Sequence, residues 1–169
     1  MTGAVLVAAA LVADCKKAAE PAATSARPAP RSLKQDLPAF SVGAQVGPAV
    51  MILVDKGTRR EGLRALVLAF RAAREQGRLG ELIPPTMPKG RRGPYAIVDV
   101  YVMSDPTWAD EGHLSRAVSH NVTDDFSASF DARTLATYVL SQTGGLSELG
   151  GLGANNGGKT WEKLFSSGI

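Results

Sequence analysis

Residues 48–78 read PAVMILVDKGTRREGLRALVLAFRAAREQGR, and their pattern sets the fold class. Ala49-Val50-Met51-Ile52-Leu53-Val54 is a continuous apolar run of strand length, bounded by Pro48 and by the turn Asp55-Lys56-Gly57-Thr58. Thr58 and Glu61 stand at capping-box spacing, which predicts a helix from Arg59 to about Gln76. Gly77 is its expected stop. At ~100° per residue, Leu63, Leu66, Phe70 and Ala73 share one face of that helix. A strand, a turn and an amphipathic helix in succession point to an α/β or α+β domain.

Working outward, Tyr95–Met103 is the clearest second strand. Ala96, Val98, Val100 and Val102 form a wholly apolar face, while Ile97, Asp99, Tyr101 and Met103 form a mixed one. Asp105, before Pro106, is expected to cap a helix running from Thr107 to about Ser119. Phe126 and Phe130 sit at helical spacing but leave residues 124–131 unassigned, and Thr134–Ser141 reads as a third strand. Residues 143–158 hold seven glycines and read as turn-rich chain. Trp161, Leu164 and Phe165 are expected to dock on the core. The expected architecture is a small two-layer sandwich: a three- to four-stranded sheet with about two helices on one face. The link between the first two strands permits either parallel or antiparallel pairing.

The chain has 169 residues, 44% of them hydrophobic, enough for one domain with an appendage. A single cysteine excludes an intramolecular disulfide framework and any Cys-rich zinc module. Gly3–Ala13 is an uncharged apolar stretch, followed by Asp14, Cys15 and Lys16-Lys17. It is too short to span a bilayer but fits the ~7–15-residue apolar core of a signal peptide. Residues 16–38, with Pro21, Pro28, Pro30 and Pro38, have the composition of an extended tether.

These N-terminal residues resemble the export segment of bacterial lipoproteins, in which a Leu-x-small-Cys box ends the apolar run. The resemblance implies cleavage before Cys15, a lipid on its sulfur and attachment to a cell-envelope membrane. Asp14 departs from it, standing where the family has Gly, Ala or Ser. Simple secretion, or an apolar helix with Cys15 a plain thiol, are the alternatives. The expected organisation is a signal-peptide-like segment over residues 1–14, a tether over 15–39 and one globular domain over 40–169.

The formal charge of +3 is unevenly spread. Residues 56–94 carry ten basic and three acidic side chains, and residues 95–169 carry four basic and nine acidic. Arg60, Arg64, Arg71, Arg74 and Arg78 fall along one stripe of the first helix, and Arg91 and Arg92 tip the loop after it. A row of guanidinium groups suits an anionic envelope component or nucleic acid. The alternative is an intramolecular match, with the basic helix lying near the acidic last third.

Chemistry-bearing motifs are sparse. Gly153–Thr160 matches the string of a phosphate-cradling loop, but Leu146–Gly150 makes a poor strand to deliver it, which argues against nucleotide binding. His113 and His120, with Asp110, Glu111, Asp124 and Asp125 nearby, fit no metal-ligand spacing. Neither a metal nor a cofactor is expected. Asp99 and Asp105 are acid–base candidates without an identifiable partner. Three functions are compatible with these residues: a lipoprotein with a non-catalytic binding or scaffolding domain, a small periplasmic hydrolase using His113 and nearby carboxylates, and a basic nucleic-acid binder. The last is least consistent with an export segment and an acidic last third.

Overall fold

The structure is a computed structural model that describes residues 37–83, 97–119, 122–141, 147–154 and 161–168. Cys15, Arg91, Arg92 and His120 lie outside the described residues. The element order is β1 (Phe40–Val46), β2 (Ala49–Val54), α1 (Arg60–Glu75), α2 (Leu79–Leu82), β3 (Asp99–Met103), α3 (Glu111–Val118), α4 (Asp124–Arg133), β4 (Ala136–Ser141), β5 (Ser147–Leu152) and β6 (Glu162–Gly168). The six strands form one mixed sheet in the order β1-β2-β3-β4-β5-β6. β2 and β3 pair in parallel across the α1–α2 crossover, and every other neighbouring pair is antiparallel. The domain is therefore α+β.

This corrects the expected three- to four-stranded sheet with helices on one face. The sheet has six strands, and helices cover both of its faces. The reason is visible along β2, where side chains alternate between two cores. Val50, Ile52 and Val54 join Leu63, Leu66, Val67 and Phe70 of α1. Ala49 and Met51 face the other way and join Leu114 of α3 with Phe126 and Phe130 of α4. A strand covered on both sides carries no polar alternation, which is why the run is continuous.

The strands not legible in the sequence are those with weak β patterning. β5 carries Gly150 and Gly151, residues of low strand propensity. Here they make room. A Cβ on Gly150 would stand 2.4 Å from the Phe165 ring and 2.8 Å from Val67. One on Gly151 would stand 2.4 Å from the Trp161 indole. Close approach of β6 and α1 to β5 thus requires glycine. Phe165 and Leu164 do pack against the core, as expected.

Local starts and stops also differ. No side chain caps α1: Arg59 is its N-cap, so the Thr58–Glu61 box does not form. Gly77, at φ +68°, does end it. The Asp105 carboxylate accepts bonds from the Thr107 N–H and hydroxyl, closing a turn rather than capping a helix. The helix starts later, where Asp110 accepts from the His113 N–H. The unassigned stretch is α4, capped by Thr123.

Gly150→Ala is expected to destabilise the domain by about 1–3 kcal/mol, because the methyl group overpacks against Phe165 and Val67. Urea denaturation read against the wild type measures this.

Candidate functional site

Of the expected stripe, Arg60, Arg64, Arg71 and Arg74 lie on α1, where acidic groups of β5 and β6 meet them, whereas Arg78 lies beyond the helix at the start of α2. Glu162, on β6, pairs with both Arg60 and Arg64. Arg78 pairs with Glu81 at 2.8 Å. Arg71 donates to Glu75 at 3.1 Å and lies 3.6 Å from Glu148. Arg74, with its side chain 8% exposed, reaches deepest. It donates to the Tyr138 hydroxyl and the Ile97 carbonyl, and lies 3.5 Å from Glu148. Glu148 is 2% exposed and accepts the Tyr138 hydroxyl proton at 2.6 Å.

The structure thus realises the intramolecular charge match. The exposed pairs contribute little individually. The Arg74–Tyr138–Glu148 network differs because its members are buried and bonded to one another. Burial, with Glu148 accepting its proton, holds the Tyr138 phenol well above its ordinary range. Sequence reasoning does not single out Glu148, Glu162 or Tyr138. Their one legible signal is the acidic excess of the last third.

Of the two histidines, His113 lies among the described residues. Asp110 accepts from the His113 backbone N–H and meets its ring Nδ1, so the carboxyl lies below its usual range. The His113 ring packs tilted against Trp108, at 4.4 Å between centroids. Asp105 turns instead to Thr107 and, at 4.0 Å, to Arg133. Asp105 and Asp110 therefore have separate partners. Among the described residues no group of three His, Cys, Asp or Glu side chains could hold a metal ion.

On the sheet face opposite α1, a cleft of about 360 Å³ opens between β3, β4 and α4. The β3–β4 register pairs Asp99 with Val139 and Tyr101 with Thr137, and pleating turns all four to this face. They form its floor, and Ser127, Asp131, Phe126 and Phe130 of α4 form a wall. Ser127 and Asp131 share a helix face through their four-residue spacing. Phe130 packs edge-on against Tyr101, with ring centroids 5.3 Å apart. His113 is not part of the lining.

Asp99 is the group that stands out. It is partly buried, and no hydrogen bond or ion pair reaches its carboxylate among the described residues. Burial alone pushes its carboxyl upward. Tyr101 beside it is pushed up to about 12, by burial first and then by Asp99 and Asp131. Asp99 is an acid–base candidate from sequence, and its companions in the cleft, Tyr101 and Asp131, come from the register and from α4.

The phosphate-loop string also gains a context. β5 does lead into it, which corrects the expectation of a poor strand over residues 146–150. The next element of the described chain is β6, not a helix whose N-terminal amides could face a phosphate. Comparison with family models, curated proteins and solved structures gave no match.

Glu148→Ala is expected to lower stability by about 3–5 kcal/mol, since Arg74 loses its buried counter-charge. Combining it with Arg74→Ala should cost less than the sum of the single losses in a denaturation double-mutant cycle. Asp99→Asn is expected to raise the melting temperature at pH 7. A carboxyl whose folded pKa is raised destabilises the fold once ionised, so the gain should vanish as pH falls below its ordinary value of 3.8. Thermal melts of wild type and Asp99→Asn from pH 3 to pH 8 measure this.

Proposed function

We propose that the chain is a cell-envelope lipoprotein, anchored through Cys15, whose α+β domain is a non-catalytic binding module with its ligand site in the Asp99–Asp131 cleft. The observation that carries the binding reading is the Asp99 carboxylate, partly buried in a concave site without a hydrogen-bonding or ionic partner among the described residues. A desolvated, unpaired carboxylate weakens the fold unless something outside the fold uses it. The anchoring reading rests on Gly3–Ala13, Cys15 and the tether beyond it.

The charge layout favours this over an arginine-based function. Arg60, Arg64, Arg71, Arg74 and Arg78 all have acidic partners within the domain, which reduces what they offer an anionic component or nucleic acid. The hydrolase alternative draws less support, because the Asp110–His113 pair lies outside the cleft lining.

A fatty-acid analogue fed to expressing cells should label the full-length protein, and Cys15→Ala should abolish the label and release the protein to the soluble fraction. Label that persists in Cys15→Ala, or no label in the wild type, would refute anchoring through Cys15.

A further inference from the structure

We infer that the cleft recognises a small organic cation, an ammonium group carried on a compact apolar body. This rests on the reading of the cleft as the ligand site, and it assigns the ligand class.

Three features converge. The first is charge. The lining holds two carboxylates, Asp99 from β3 and Asp131 from α4, and neither lysine nor arginine is part of it among the described residues. The guanidinium groups nearest along the chain have aromatic partners within the domain. Arg133 lies over Trp108 at 4.2 Å, and Arg116 lies over Phe126 at 4.3 Å while donating to Thr123.

The second feature is the remaining wall. Tyr101, Phe126 and Phe130 place three aromatic rings in the lining. Ring faces attract cations; Phe126 already carries the Arg116 guanidinium, so the rings offered to a ligand cation are those of Tyr101 and Phe130. Val122, Val139 and Ala117 add apolar surface for the ligand body.

The third feature is size and selectivity. About 360 Å³ is at the small end of ligand pockets, so the ligand is compact. Asp99 can form a charge-assisted bond to an N–H donor that nothing described within the protein supplies. Thr137 is not available to compete, because its hydroxyl donates to the Gly153 carbonyl at 2.7 Å. An anion would meet two carboxylates, and a neutral analogue would leave Asp99 desolvated and unpaired.

Benzylammonium, benzyl alcohol and benzoate form a matched probe set of similar shape and different charge. Titrated calorimetrically into the full-length protein, benzylammonium should bind saturably. Benzyl alcohol and benzoate should each bind at least about tenfold more weakly, as expected for loss of one charge-assisted bond. Asp99→Asn should weaken benzylammonium by about tenfold or more, with far-UV circular dichroism confirming that the variant is folded. Absence of saturable benzylammonium binding would overturn the inference, as would affinity unchanged in Asp99→Asn. Equal binding of benzyl alcohol at the cleft would overturn the cation assignment while leaving the cleft a ligand site. Loss of the lipid label in the fatty-acid experiment would bear only on anchoring.

Discussion

The buried contact of Arg74 with Tyr138 and Glu148 is the constraint on which the arrangement of the domain depends. It joins α1 to β4 and β5 in one bonded group. Breaking it on one side leaves a charge in the core, so the three groups are retained together or replaced together. Phe70 and Phe165 pack their rings near Tyr138, at 6.1 and 6.3 Å between centroids. Gly150 lets Val67 and Phe165 come this close. The polar network and the apolar seam around it therefore specify the same docking of helix on sheet.

That docking divides the molecule electrostatically. On the α1 face, Arg60, Arg64, Arg71 and Arg74 meet the acids of β5 and β6. On the α4 face, Asp99 and Asp131 line a cleft whose described residues contribute no basic side chain. The net charge of the chain conceals both facts. It is how acids and bases are distributed over the two faces of one sheet, not their number, that sets the charge each face presents.

Much of the first half is legible in the residues. The run Ala49–Val54, the apolar face of α1 and the stop at Gly77 all appear where the pattern puts them. Asp99 and Tyr101 are visible on the mixed face of a strand, and that mixed face is the floor of the cleft. The unbroken apolar character of Ala49–Val54 also carries the signal for helices on both faces, since a half-exposed strand would alternate. β5 is hidden because its glycines answer to neighbours rather than to strand propensity. Capping fails as a guide where two acceptors compete: Asp105 closes a turn with Thr107, and Asp110 starts α3.

The sequence by itself determined the strand–helix unit, the two uneven blocks of charge and the presence of a carboxylate within an apolar strand. These are local properties, set by side-chain period and composition over a few residues. The tertiary structure alone decided which charges meet. Arg64 and Glu162 are 98 positions apart, and Arg74 and Tyr138 are 64 apart. Their pairing depends on strand register and on how closely α1 approaches the sheet, which packing of the whole core selects. The same packing decides that Asp99 finds Asp131 and aromatic walls beside it. A cleft is the space left between elements, and no single element encodes it.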